Sequence, residues 1–116
     1  MKYIRFSILP KILIISLQRI DVLNNKKNDI NVIFDDYLDI ENFIDKDILQ
    51  EVSSKYKLNG IVCQRGNFNF GHYIAYLNIG LKDQWYEFND SSVNIIDNGL
   101  PTDNTYILFY IKNDLI

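Results

Sequence analysis

The chain has 116 residues, of which 47% are hydrophobic, and its 12 basic against 15 acidic side chains leave a net charge of −3. That length and apolar fraction describe one small domain with its own core and exclude disorder. The charge balance excludes a nucleic-acid partner held by a basic stripe, since Lys26 and Lys27 form only a short pair with the acidic Asp29 close behind. One cysteine, Cys63, and one histidine, His72, exclude a disulfide framework and a His/Cys metal site, so neither a metal nor a cofactor is expected. No apolar run approaches the roughly 18 residues of a membrane span, and Met1 to Arg5 lacks a signal-peptide pattern. No membrane contact is expected, and the default expectation is a soluble intracellular protein, cytoplasmic or nuclear.

In chain order, Tyr3 to Ile8 and Ile12 to Leu17 are rich in β-formers and are punctuated by Pro10. Leu23 to Ile30 is rich in Asn, Lys and Asp and reads as a surface loop, and Val32 to Phe34 reads as a short edge strand. Between Asp39 and Ser54 the apolar residues Ile40, Phe43, Ile44, Ile48 and Val52 recur at helical spacing, with Asp39 as the cap. Strand patterns return at Leu58 to Cys63, then, after a loop from Gln64 to Phe70, at Gly71 to Ile79. A turn at Gly80 to Asp83 leads to Gln84 to Phe88 as a hairpin, followed by Val93 to Ile96 and Thr105 to Ile111. The expected fold is mainly antiparallel β with a small helical element, an α+β chain. Such a sheet has more apolar face than this little helix can cover, unless it closes or packs on itself.

Three positions carry chemistry. His72 follows Gly71 at the start of a strand, where the backbone is rigid and the ring can face a cleft; its ordinary pKa near 6.5 suits a general base. Asn89 and Asp90 come within about two residues of His72 if the hairpin pairs Ile79 with residues around Trp85, and either can accept the imidazole N–H. A polar turn after an aromatic strand explains the same residues equally well. Cys63, the only thiol, lies on the same face as Ile61 and opposite Leu58 and Val62 by simple alternation, and reads as a small buried hydrophobe. It would reach the imidazole only if the intervening loop folds back as a tight hairpin with both side chains on one side of the sheet.

Read together, these blocks resemble the ubiquitin-specific protease family of papain-like deubiquitinases. The family's histidine box resembles Tyr56-Lys57-Leu58-Asn59-Gly60-Ile61-Val62, Gly66, Gly71-His72-Tyr73-Ile74-Ala75-Tyr76, Trp85-Tyr86-Glu87-Phe88-Asn89-Asp90-Ser91-Ser92-Val93 and Tyr106-Ile107-Leu108-Phe109-Tyr110. Upstream, Leu9 to Arg19 resembles the palm strand that follows the fingers, and Phe34, Leu38-Asp39-Ile40 and Phe43 resemble the next landmark. The resemblance implies a partial catalytic domain over residues 1–116, the palm portion of the papain-like hand, with the histidine box at 56–111. It implies His72 as the base, Asn89 as the third triad member, Asp90 as its acidic neighbour, and Tyr73 with Gly71 as contacts to the ubiquitin tail. The reaction implied is thiol-mediated hydrolysis after the last glycine of ubiquitin.

The departures bear on activity. The thumb block with the nucleophilic cysteine and the zinc-bearing fingers have no counterpart in these 116 residues, and Cys63 matches a non-catalytic strand position. Ile20 stands where the family usually has phenylalanine, and Gln64 where it often has histidine. The leading expectation is the base-bearing part of a deubiquitinase, inactive alone and partnered by ubiquitin or a ubiquitin conjugate and by a separate thumb and fingers fragment. The alternatives are a non-catalytic ubiquitin-binding or decoy module and a degenerate remnant.

Overall fold

The computed structural model describes residues 4–47, 53–66, 71–80 and 83–113. Within them the strands are β1 (Ile12–Ser16), β2 (Ile20–Asp21), β3 (Lys26–Lys27), β4 (Tyr37–Asp39), β5 (Lys55–Gly66), β6 (Gly71–Ile79), β7 (Gln84–Asn89), β8 (Ser92–Ile96) and β9 (Thr105–Lys112). Seven of these form one antiparallel sheet in the order β1-β9-β5-β6-β7-β8, with β4 alongside β5, while β2 and β3 make a small separate hairpin. The mainly antiparallel β expectation holds. Its helical part shrinks to one 3₁₀ turn at Glu41–Phe43, and the expected continuation through Ile48 and Val52 lies outside the described residues. Asp39 does not cap a helix; its carboxylate accepts the Glu41 N–H at 3.0 Å and the Ser54 hydroxyl at 2.6 Å. These two bonds hold its pKa below the usual aspartate value.

Three other expectations shift. Of the expected Tyr3 to Ile8 strand, the described part contributes only Phe6, which bridges to Ile44 through Phe6 N–H to Phe43 O and Asp45 N–H to Phe6 O, both 2.8 Å. Val32 to Phe34 is not a strand; Phe34 packs against the core and the edge pairing is taken up by β4 against Lys55 to Lys57. β5 starts earlier and ends later than Leu58 to Cys63, taking Gln64, Arg65 and Gly66 from the expected loop because they pair with Tyr73, His72 and Gly71.

The core lies on one face of the sheet. Tyr56, Leu58, Ile61 and Cys63 of β5 are buried there with Ile74 and Tyr76 of β6 and Leu108 and Tyr110 of β9. Simple alternation would oppose Leu58 to Ile61 and Cys63. A bulge between Leu58 and Gly60 against β9 resets the parity, so all three face inward and only Val62 stays opposite Cys63. Segments flanking β1 and β4 roof this face: Ile40 and Ile44 are buried in it, and Phe6, Leu9, Phe34 and Leu38 pack against it. Two buried phenols tie the roof down, Tyr56 donating to Pro10 O at 2.6 Å and Tyr110 to Asp35 O at 2.7 Å. Each large apolar side chain buried this way contributes about 1.5–3 kcal/mol. Among the described residues the far face has no such roof, and Ile12, Ile14, Tyr73, Val93 and Ile95 are each more than half exposed. Among the described residues no helix is long and apolar enough to cross a membrane.

Candidate active site

Strand register brings the site together. β5 and β6 form a hairpin in which Arg65 faces His72 and Cys63 faces Ile74. β6 pairs with β7 from Ile79–Gln84 through Ala75–Phe88, which carries Asn89 to the level of Ile74, two residues from His72. Alternation then places His72, Ile74 and Tyr76 on the face shared by Glu87 and Asn89. His72 Nε2 lies 2.6 Å from Asn89 Oδ1. An amide oxygen only accepts, so Nε2 carries the proton and Nδ1 keeps its lone pair for a proton from outside. β7 closes to β8 through Asp90 and Ser91, with Asp90 at φ 51° and Asn89 paired with Ser92. That tight turn fixes the backbone of Asn89. Asp90 is exposed in the turn and makes no hydrogen bond to His72, so of the two candidate partners the structure brings only Asn89 to the ring.

Both conditions for Cys63 to approach His72 are met, since β5 and β6 pair as far as Gly66 and Gly71 and the two residues share a face. They form a diagonal pair, a spacing of about 7–8 Å. Cys63 is nevertheless fully buried, and burial pushes its thiol up to about 11. A protonated, inaccessible thiol is not a nucleophile at neutral pH. Beside it, Tyr76 donates to Glu87 Oε2 at 2.9 Å and receives Arg65 Nη2 at 3.4 Å; burial first, then the carboxylate, raises that phenol to about 12. Tyr73 sits on the opposite face from His72, its ring 6.2 Å from that of Tyr106. Gly71 also lies on that far side, where a Cβ would fall 2.1 Å from Gln64 Nε2. The Gln64 side chain occupies the space that any other residue at 71 would need.

Sequence reading missed two buried cations next to this hairpin. Arg19, 5% exposed, donates from Nε to Thr105 O and from Nη1 to Asn28 O at 3.0 Å and Ile30 O at 2.6 Å. Lys27, read as half of a short lysine pair in a surface loop, has a side chain only 4% exposed. No pattern in the sequence separates it from the exposed Lys26 beside it. Among the described residues no three of His, Cys, Asp and Glu converge as a metal site requires.

Ubiquitin carboxyl-terminal hydrolases match this chain over residues 3–110. The chain belongs to that family. A probable ubiquitin carboxyl-terminal hydrolase of Acanthamoeba polyphaga mimivirus is 36% identical over 110 residues, covering 91% of this chain and 23% of the relative. The yeast SAGA DUB module structure aligns with a TM-score of 0.81 at 35% identity, over 92% of this chain and 26% of the other. The Ubp8 module bound to ubiquitin aldehyde aligns at 0.77 and 36% identity, over 92% and 25%. The chain thus spans about a quarter of the length of these relatives. Its antiparallel sheet is the papain-like fold of this family, and the His72–Asn89 contact lies within the matched region.

Proposed function

We propose that residues 1–116 form the palm part, with its histidine box at 56–111, of a thiol-dependent deubiquitinase that cleaves after the C-terminal glycine of ubiquitin. The observation that carries this reading is the 2.6 Å contact between His72 Nε2 and Asn89 Oδ1 in a member of this family. Nδ1 of His72 takes the proton of a cysteine thiol supplied from outside these residues. The thiolate attacks the glycine carbonyl, and the imidazolium returns the proton to the departing amine. Water then hydrolyses the thioester with His72 again as base. Asn89 holds the tautomer, Asp90 adds negative charge at the turn beside it, and Gly71 and Tyr73 border the ubiquitin tail. The related module bound to ubiquitin aldehyde supports ubiquitin, or a ubiquitin conjugate, as partner. A cytoplasmic or nuclear setting follows from such a partner.

The test is complementation. Alone, the chain leaves a ubiquitin C-terminal amide uncleaved and a ubiquitin electrophile unattached, because Cys63 is buried. Adding a thumb fragment with its own accessible cysteine restores both, and His72→Ala abolishes the restored activity. Asn89→Ala lowers kcat by about 10²–10⁴. Labelling of Cys63 in the isolated chain, or complemented activity that survives His72→Ala, rejects the reading. The burial of the only cysteine favours a second reading, a ubiquitin-binding module without chemistry. Titration with ubiquitin separates the two: a binder saturates below millimolar concentration with no fragment added.

A further inference from the structure

β9 begins at Thr105, opposite Cys63, so among the described residues the last ones of β5 have no strand on the side away from β6. Their backbone groups still need partners. The Gln64 N–H donates to Asn104 O at 2.9 Å, and Asn104 holds φ 60° to present that oxygen. The outward carbonyls of Gln64 and Gly66 go to Lys27. Its ammonium lies 2.7 Å from Gln64 O, 3.0 Å from Gly66 O and 2.9 Å from Asn104 Oδ1, with Asp29 Oδ1 at 3.5 Å. Three donors meet three neutral acceptors on two separate segments. Gln64 and Gly66 bracket Arg65, the residue paired with His72, and Gly66 pairs with Gly71. Arg19 fastens the other side of the same small hairpin through Asn28 O and Ile30 O, and Asn28 N–H returns to Arg19 O at 2.6 Å.

We propose that Lys27 is a positioning residue for His72. Its ammonium stands in for the missing strand at the end of β5, holds the Gln64–Gly66 edge in register with β6, and so keeps the imidazole within reach of Asn89. The significance for catalysis rests on the proposed role of His72; the mechanical coupling does not.

The single histidine makes the test direct, because the ring nitrogens of His72 give one unambiguous set of ¹⁵N–¹H signals in the whole chain. In Lys27→Met, the preference for the Nε2-protonated tautomer weakens and the ring signals move toward those of Asn89→Ala. Amide exchange accelerates by about tenfold at 64–66 and 71–73 while β7 and β8 keep their protection. Lys27→Arg restores much of both, since a guanidinium can still bridge two carbonyls. Asn104→Ala removes one of the three acceptors and gives a smaller shift in the same direction, which keeps the test usable if Lys27→Met does not fold. A folded Lys27→Met with an unmoved His72 spectrum overturns the proposal. So does exchange that rises evenly across the sheet, which marks Lys27 as a general stabiliser. Neither readout involves ubiquitin or a thiol, so failure of complementation leaves this result standing and the reverse holds too.

Discussion

On one face of the sheet Leu58, Ile61, Ile74 and Leu108 lie buried with Phe6, Leu9, Phe34, Ile40 and Ile44 packed over them, while on the other Ile12, Ile14, Val93 and Ile95 are more than half exposed. The two sets are the same kinds of residue, drawn from strands of one sheet. What separates them is cover. The roofed face gains from the coil that phenols and Phe6 pin across it, and its end carries His72 and Asn89 on a backbone held by several paired strands. Hydrophobic side chains on a strand therefore report only that a face is apolar. Whether the face contributes to stability depends on segments elsewhere in the chain.

Truncation in the roofed core carries the largest expected effect. Ile61→Ala, in the roofed core, is expected to cost about 2–5 kcal/mol in urea unfolding, the range for emptying a packed aliphatic site. A loss below 1 kcal/mol would show that the roof is loose and the two faces equivalent. A smaller loss, about 1–3 kcal/mol, is expected for Gly71→Ala, because the new methyl must displace the Gln64 side chain. Adding Gln64→Ala should recover part of it, and a double variant no better than the single would refute the steric cause.

Alkaline titration addresses the roofed face. Cys63, Tyr76 and Tyr110 are all raised there, chiefly by burial, to about 11, about 12 and about 12 from reference values of 9.0, 10.0 and 10.0. Each neutral form is favoured in the folded state. Their contribution is complete below pH 9 and is lost as pH climbs from 9 to 12, with Cys63 failing first. Cys63→Ala should flatten the early part of that decline in unfolding midpoint against pH, and an unchanged curve would show the thiol is not buried in solution. The least effect belongs to the open face. Ile14→Ser and Ile95→Ser should each stay within about 0.5 kcal/mol of the parent. A large loss at either would mean the open face is packed in solution.

Much of the fold was readable because strands with one polar interruption at each end leave a strong trace. Gly71 to Ile79 matches β6 residue for residue, and β7, β8 and β9 fall within one residue at either end. The His72–Asn89 approach followed from counting back along a hairpin whose turn was marked by Gly80 and Asp83. What failed depended on distant partners. Phe6 looked like a strand residue but serves as part of a roof, and the parity of Leu58 against Cys63 turned on a bulge that only the pairing with β9 creates. Lys27 was illegible for the same reason: its three acceptors lie 37, 39 and 77 residues away along the chain.

β9 is the last strand in chain order yet lies inside the sheet, between β1 and β5, with Ile111 pairing Ile12. During synthesis β1 therefore emerges long before its partner β9, and the β5–β6–β7–β8 meander can zip up while β1 waits as an unpaired apolar ribbon. Closing that gap joins residues about a hundred positions apart, which makes the final docking slow and leaves Ile12, Leu13, Ile14 and Ile15 open to mispairing until it happens. A nascent chain arrested before Thr105 should behave as a folded hairpin stack with a sticky tail, and resist protease only from β5 onward.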